Sequence, residues 1–250
     1  MSKLMGDFNK LADCYDYYHS AHNTFIELLK KEYRENKDTK IVDVGCGTGN
    51  ETLNIYNKFK CTVYGIDPAK NMLKKAAGKS DKIVWLEGTA ERIPVGNNSI
   101  DIITSFFSIH HFLDIHQAAI EFKRILKTNS KAFIFTISHS QMKNSLEYQF
   151  FPELLKYDIN RIPHTKLIKN SFIENGFKIK TKGIEYETRK IDKDYIKMVK
   201  NRYRTGFELL TDEQILQGIG KIKKTILNSS GSEIIDKIMC SVLICEKQPN

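Results

Sequence analysis

The chain has 250 residues, of which 41% are hydrophobic and 28% are charged. That length suits one large α/β domain, with small additions, that buries a sizeable core. No segment approaches the roughly 18 consecutive apolar residues of a membrane span, and the N-terminal segment lacks the features of a signal peptide. Five scattered cysteines, without a CxxC pair, argue against a disulfide framework or a zinc ribbon and favour a cytoplasmic location.

The formal net charge is +9. The charge leans toward the C-terminal part but is spread out, without a run of five or six like charges. It therefore forms no basic tail, and it is only weak support for a nucleic-acid partner or an acidic substrate.

Residues 40–138 alternate short apolar runs with helical patterns. Runs rich in Ile and Val, bounded by Gly, Asp or Asn, are typical of strands buried on both faces of a parallel sheet. The predicted strands are 40–45, 61–67, 82–88, 100–106 and 131–138, and the predicted helices are 48–58, 69–78 and 114–127. This alternation predicts a doubly wound, Rossmann-like α/β sheet with right-handed crossovers.

Further segments flank this core on both sides. Behind it, the pattern predicts a strand over 176–188 and a last apolar strand over 237–247, which we expect to be antiparallel in a mostly parallel sheet. We interpret 1–250 as a single domain made of four parts. These are an N-terminal helical cover (1–36), a ligand-binding core (40–138) and two helical additions over the substrate site (141–175 and 189–236).

The strongest motif is DVGCGTG at 43–49, where the first predicted strand passes into a helix. Its alternate glycines, Gly45, Gly47 and Gly49, let the backbone turn sharply and approach a ligand. A dinucleotide fingerprint would place its third glycine at position 50, where this chain has Asn50. The spacing therefore argues against NAD and FAD.

Asp67 closes the second predicted strand, near the glycine loop in a sheet of this kind. Its carboxylate can accept hydrogen bonds from both hydroxyls of a ribose. A cap for the helix that begins near Pro68 would explain the same residue. Together with the glycine loop, the ribose role is favoured.

Three segments, in order, carry a family resemblance: DVGCGTG, GIDPAKNMLKKA and EGTAERIPVGNNSIDIITSFFSIHHF. They resemble the class I S-adenosylmethionine-dependent methyltransferases, and within them the small-molecule branch of ubiquinone and menaquinone biosynthesis. The resemblance covers about 40–138, and the N-terminal FNKLADCYDYYH is similar to that branch's cofactor-covering helix. It implies S-adenosylmethionine as cofactor, S-adenosylhomocysteine as product and methyl transfer to a small molecule by in-line displacement.

The resemblance also implies which residues bind the cofactor. The glycine loop would face the methionine part, with Asp43 near the ammonium group, and Asp67 would hold the ribose. The family often has Asp where this chain has Thr89, which can also accept a hydrogen bond. The implied set is Asp43, Gly45, Cys46, Gly47, Gly49, Asp67, Pro68, Met72, Thr89, Ala90, Glu91, Ser105 and Phe106.

Transfer of a methyl group from a sulfonium chiefly needs alignment and exclusion of water, with a base only for a hydroxyl, amine or acidic carbon acceptor. His110 follows the fourth strand and is the candidate base, although a structural role is the alternative. Tyr15 and Tyr18 share a helix face and could close over the sulfonium, with ordinary packing as the alternative.

The candidate substrate contacts are Tyr18 and three residues of the C-terminal half. Arg202 and Arg204 could present an anion-binding fork to a carboxylate or phosphate of the substrate, although a solvated helix face would explain them too. His139 follows the fifth strand on the same rim as the glycine loop. No His, Cys or carboxylate spacing suggests a metal site.

Two other functions stay open. A tRNA methyltransferase of the wobble-uridine type shares these motifs and would suit the positive charge. Against it, the fourth strand is followed by neither an NPPY-like nor a Pro-Cys motif, and no RNA-binding module is evident, so nucleic acid is a disfavoured partner. The third candidate is a non-catalytic protein that binds S-adenosylmethionine. The oligomeric state is open.

Overall fold

The computed structural model describes residues 12, 15, 16, 21–32 and 38–249. The chain divides into two compact units. The first unit comprises Met1–Thr136, His164–Gly183 and Ser241–Asn250, and the second comprises Ile137–Pro163 and Ile184–Cys240. Within the described part of the chain, no helix is both long and apolar enough to cross a bilayer.

The regular elements are numbered in chain order. The strands are β1 (Lys40–Val44), β2 (Thr62–Asp67), β3 (Val84–Glu87), β4 (Ile100–Phe106), β5 (Leu126–Thr136), β6 (Phe177–Lys190) and β7 (Ile235–Lys247). The helices are α1 (Asn23–Glu32), α2 (Asn50–Phe59), α3 (Lys70–Lys79), α4 (Ile115–Ile125), α5 (His139–Asn144), α6 (Leu146–Phe150), α7 (Pro152–Arg161), α8 (Thr165–Glu174), α9 (Lys193–Lys200) and α10 (Asp212–Asn228). Short 3₁₀ turns span Ile109–His111 and Thr205–Leu209.

The sheet has the order β3-β2-β1-β4-β5-β7-β6. Strands β1 to β5 pair in parallel and β7 runs antiparallel to β5, which confirms the predicted mostly parallel Rossmann-like fold. The order changes direction at β1, which lies between β2 and β4. In open α/β sheets, ligands bind in the crevice at the carboxyl ends of the strands beside such a switch point.

Helix α4 shows why the predicted pattern folds as it does. Asp114 caps its first turn by accepting hydrogen bonds from the backbone N–H groups of His116 and Gln117. The apolar stripe of this helix faces the core, with Phe122 and Ile125 fully buried. Burial of this stripe holds the helix on the sheet, because tertiary packing stabilises most short helices.

Two predicted boundaries differ from the structure. Strand β5 begins at Leu126, directly after α4, rather than at residue 131. Residues 164–175, predicted as part of a helical addition, belong to the first unit. The physical reason is that Ile168 and Phe172 of α8 are buried in the core of the sheet, where the Phe172 ring meets the Phe122 ring edge-on at 5.6 Å.

The second unit has an aromatic core of its own. A Cβ on Gly218 of α10 would lie 1.9 Å from Cε1 of Phe151, so the Phe151 ring packs directly on the helix backbone. The Phe207 ring meets Phe151 edge-on at 5.1 Å. This unit corresponds to most of the predicted additions, and their placement over the substrate site stays a prediction.

Candidate functional site

The glycine loop that follows β1 has the conformation its sequence predicts. Gly45, Gly47 and Gly49 have φ angles of +75°, +55° and +80°, a region that costs other residues roughly 1–2 kcal/mol each. The backbone N–H groups of Gly45 and Cys46 both donate to the carbonyl of Ile66, at 2.8 and 3.0 Å. The loop therefore folds back onto the end of β2.

Close packing against the end of β4 fixes one side of this loop. A Cβ on Gly45 would lie 2.4 Å from Cβ of Ser108. The Ser108 hydroxyl donates to the Val44 carbonyl at 2.9 Å and shares a 2.6 Å hydrogen bond with the Ser105 hydroxyl. In contrast, a Cβ on Gly47 would meet no atom of the described residues within 4 Å, so among those residues the middle of the loop faces open space.

The Trp85 side chain packs beneath the other end of the loop. A Cβ on Gly49 would come within 2.5 Å of the indole, and one on Gly65 within 2.4 Å. The indole N–H donates to the carbonyl of Ser80 at 3.0 Å, which holds the ring in place. Sequence analysis missed Trp85, although a glycine inside a strand, as at Gly65, signals a close approach of this kind.

Asp67 connects the loop to the following helix. Its Oδ2 accepts the Gly47 N–H and its Oδ1 accepts the Ala69 N–H, both at 2.8 Å. Burial raises the pKa of the carboxyl, and the two N–H bonds oppose that rise. Because each carboxylate oxygen has a second lone pair, Asp67 can organise the loop and still accept hydrogen bonds from ligand hydroxyls. The cap and the ribose role are therefore compatible.

Tyr15 lies beside Asp67. It packs against the buried side chains of Ala12, Ala69 and Met72. The pKa of Tyr15 is raised to about 12, mainly by burial and further by the negative charges of Asp67 and Asp16. The phenol therefore stays protonated near neutral pH and can donate a hydrogen bond at this end of the site. The other tyrosine predicted on this face, Tyr18, lies outside the described residues.

Asp16, which the sequence analysis missed, connects the segment that contains Tyr15 to the glycine loop and the start of α2. Its Oδ1 accepts from the Thr48 hydroxyl at 2.5 Å and from the Asn50 amide at 3.0 Å. Its Oδ2 pairs with the Lys79 ammonium at 2.7 Å. Partial burial opposes ionisation, but these partners hold the pKa of Asp16 below its ordinary value. This anchoring agrees with the predicted N-terminal cover, whose other residues are mostly outside the described part.

Asp43 lies beneath the loop and is 1% exposed. It accepts hydrogen bonds from the hydroxyls of Thr52 at 2.5 Å and Thr104 at 2.9 Å. Burial raises its pKa to about 7, and the two hydroxyls offset only part of that rise. The contacts give Asp43 a structural role, and its implied position near a ligand ammonium stays a prediction.

The surroundings of Cys46 disfavour the thiolate form of its side chain. Burial, together with the charges of Asp43 and Asp67, raises its pKa well above the ordinary value. Because the thiolate is the reactive form, Cys46 acts as a small side chain in the loop.

The resemblance implies that Pro68, Met72, Thr89, Ala90 and Glu91 surround the adenine of the cofactor, and these residues differ in exposure and contacts. Met72 and Ala90 are buried and Pro68 is exposed. The backbone of Thr89 pairs with that of Arg92 in a short bridge. The Glu91 carboxylate accepts the N–H groups of Leu113 and Asp114, at 2.7 and 3.2 Å, so its described contacts brace the segment before α4.

Aromatic side chains surround the end of β4. The Phe106 ring stacks on Phe25 of α1 at 5.1 Å and on Phe135 of β5 at 4.5 Å. In the 3₁₀ turn that follows, the His110 and His111 rings lie 4.0 Å apart. This places His110 after a carboxyl end of the sheet, as expected, and its role as a base stays a prediction.

The candidate substrate residues of the second unit already have partners there. Arg202 donates to the carbonyls of Phe207 and Leu210 and pairs with Asp212 at 2.8 Å. The His139 ring bonds to the carbonyl of Ile162 at 2.9 Å. These contacts favour structural roles for both side chains.

The side chain of Arg204 is also bonded within the second unit. It pairs with Glu147 at 2.5 Å and with Asp158 at 3.0 Å. Although burial opposes ionisation, Arg204 and Arg189 hold the pKa of Glu147 below its ordinary value. The guanidinium is thus paired with two buried carboxylates, which argues against the predicted anion fork.

Among the residues that the structure describes, no three His, Cys, Asp or Glu side chains form a metal-binding group.

Comparisons with known proteins agree with this geometry. A methyltransferase-domain family model matches residues 42–134. The demethylmenaquinone methyltransferase of Chlorobaculum tepidum is 24% identical over 209 residues, which cover 71% of this chain and 85% of that protein. The uncharacterized protein MJ1252 of Methanocaldococcus jannaschii is 31% identical over 211 residues, which cover 81% and 75%.

A solved structure shows the same fold. The phosphoethanolamine N-methyltransferase 2 of Haemonchus contortus, in complex with phosphomonomethylethanolamine and S-adenosylhomocysteine, aligns with a TM-score of 0.61 at 16% identity. The alignment covers 97% of this chain and 58% of that chain. At this identity the likeness concerns the fold alone.

We predict that Gly45→Ala destabilises the protein more than Gly47→Ala. Both substitutions force an L residue to a positive φ, but only the first adds a Cβ that overlaps Ser108. Overpacking of this kind costs a further 1–3 kcal/mol, roughly. The free energy of unfolding from urea titration measures the difference. Equal losses for the two variants would contradict the close approach.

We also predict a pH dependence from Asp43. Its pKa is about 7 in the folded protein against an ordinary 3.8, so folding takes up a proton between these values. Stability from this group therefore falls as the pH rises from about 4 to 7, by up to about 1.4 kcal/mol per pH unit. The unfolding free energy of the wild type minus that of Asp43→Asn should fall across this window. If this difference in unfolding free energy rose with pH, the raised pKa of Asp43 would be contradicted.

Proposed function

The chain belongs to the class I S-adenosylmethionine-dependent methyltransferases, and we propose that it methylates a small-molecule acceptor. The position of Asp67 carries the proposal, because its carboxylate joins the glycine loop to α3 beside the phenol of Tyr15. The similarity to a demethylmenaquinone methyltransferase supports a reduced quinone as the first acceptor class to test.

The described residues fit S-adenosylmethionine. Among the residues that the structure describes, none fills the space beside Gly47. Asp67 offers carboxylate lone pairs to ribose hydroxyls, and the buried side chains of Ala69 and Met72 form an apolar surface nearby. Tyr15 packs on the same surface, which supports its role as part of a cover.

When bound, S-adenosylmethionine supplies a methyl group on a sulfonium, which is an activated leaving group. The chain then has two tasks, to hold the acceptor in line with the methyl group and to exclude water. The glycine loop is rigid because Ser108 and Trp85 pack against it, so it can fix one reactant. Tyr15 and the Asp16 anchor shield the Asp67 end from water.

His110 is the proposed base for acceptors that must lose a proton. It lies in the turn after β4, and a neutral imidazole can take a proton from a hydroxyl or an acidic carbon. For an acceptor that carries a free lone pair, no base is required, and His110 would then act only in positioning.

We predict transfer of label from radioactive S-adenosylmethionine to a small molecule. The acceptors to compare are demethylmenaquinol, a small-molecule metabolite extract and unmodified tRNA. Labelled small-molecule product with unlabelled tRNA is the expected result, and His110→Gln should lower kcat while the Kd for S-adenosylhomocysteine stays unchanged. Label in tRNA alone would contradict the proposed acceptor class, and no transfer to any of the three would favour a non-catalytic binding protein.

We predict that Asp67→Ala weakens S-adenosylhomocysteine binding by about 1–3 kcal/mol, or roughly 5- to 150-fold, because charged hydrogen bonds are lost. Asp101→Ala is the matched control, since it removes a carboxylate at the opposite end of the sheet, where Asp101 pairs with Lys127 at 2.8 Å. Calorimetric titration gives both affinities. An Asp67→Ala affinity equal to that of the control would mean that the ribose site is wrongly placed.

A further inference from the structure

A cavity of about 300 Å³ opens at the amino-terminal edge of the sheet in the first unit. It lies between the C-terminal half of α4, the segment before β4 and the end of β7. The glycine loop is at the carboxyl ends of the strands, so the two sites are separated by roughly 20 Å, the length of a seven-residue strand such as β4. The lining residues are Asn97, Asn98, Ile120, Lys123, Arg124 and Lys247.

Lys247 is the most buried of the charged residues that line this cavity, and hydrogen bonds hold its ammonium group in place. It is only 7% exposed, and its ammonium donates to the Leu126 carbonyl at 2.6 Å and to Oδ1 of Asn98 at 2.7 Å. Both acceptors are neutral, whereas buried charges are ordinarily paired. Burial and the neighbouring charge of Lys123 lower the pKa of Lys247, which agrees with a cation that lacks a counter-charge.

Lys123 brings a second positive charge to the same cavity. Its Nζ lies 3.0 Å from the position that a Cβ on Gly176 would take. Within the described part of the chain, no carboxylate pairs with Lys123 or Lys247. The nearby Glu121 carboxylate is already taken by Arg124, at 2.6 and 2.8 Å, and by the Ile93 N–H at 2.7 Å.

Asn97 and Asn98 also line the cavity, and each has an amide group with one acceptor and two donors. Oδ1 of Asn97 accepts from Arg124 at 2.6 Å, and Oδ1 of Asn98 accepts from Lys247. Each amide oxygen therefore faces a cation, so the two amide NH₂ groups remain for another acceptor. The polar lining thus offers donors and positive charge, and Ile120 forms an apolar wall.

We propose that this cavity binds a phosphate group, either free or as part of a small phosphomonoester. A dianion with several acceptor oxygens matches two ammonium groups and two amide donors better than a carboxylate does, because a carboxylate has one charge and two oxygens. Binding would also relieve the repulsion between Lys123 and Lys247. This site is independent of the proposed methyl transfer.

The test is calorimetric titration of the full chain with inorganic phosphate at constant ionic strength, in saturating S-adenosylhomocysteine so that phosphate cannot enter the cofactor site. The expected Kd is below about 1 mM. Lys123→Gln and Lys247→Gln should each weaken binding by about tenfold, since each removes a charged hydrogen bond. Lys127→Gln is the matched control, because it removes an equal charge at the same edge outside the cavity, and its Kd should change less than twofold.

Two further results decide the assignment. Lys123 is only partly buried, so Lys123→Gln keeps the test valid even where Lys247→Gln fails to fold. Tighter binding of glycerol phosphate than of inorganic phosphate would identify a phosphomonoester as the ligand, and the reverse order would identify the free ion. Phosphate binding that is absent, or equal in Lys123→Gln and Lys127→Gln, would overturn the proposal. Binding of bulk tRNA without binding of phosphate would also overturn it.

Discussion

The arrangement of the site depends on the two hydrogen bonds that Asp67 accepts from the backbone of Gly47 and Ala69. They bring the ends of β1 and β2 to one carboxylate, so the glycine loop and the start of α3 share an anchor. The close contacts of Ser108 and Trp85 act on the same loop from its two ends. A rigid loop with an open middle suits a protein whose chemistry is mainly alignment, because misplacement of the reactants by about 1 Å costs rate heavily.

The two units stabilise buried carboxylates in different ways. Asp43 of the first unit has hydroxyl partners only, so burial dominates and its pKa rises to about 7. Glu147 of the second unit is held by Arg189 and Arg204, and its pKa falls. Asp43 can therefore be neutral beneath the glycine loop, whereas Glu147 stays ionised among its arginine partners. It also explains why Arg204, which sequence alone suggested as a ligand contact, is directed inward.

Periodicity predicted the strands and helices of the parallel core and the position of the last strand, because each depends on local pattern and burial. The glycine loop and Asp67 were also predicted, since their spacing has a local steric cause. Sequence could not locate Trp85 and Asp16, whose contacts join residues far apart in the chain. The position of 164–175 in the first unit likewise depends on contacts between distant parts of the chain, such as the packing of Phe172 on Phe122.

The most direct test of the account is calorimetric titration of the purified wild-type chain with S-adenosylmethionine, S-adenosylhomocysteine and NADH in parallel. Membership of the methyltransferase family predicts micromolar binding of both sulfur compounds. The glycine spacing, with Asn50 where a dinucleotide site has its third glycine, predicts that NADH does not bind. Binding of NADH, with no heat from either sulfur compound, would contradict the assignment of the site.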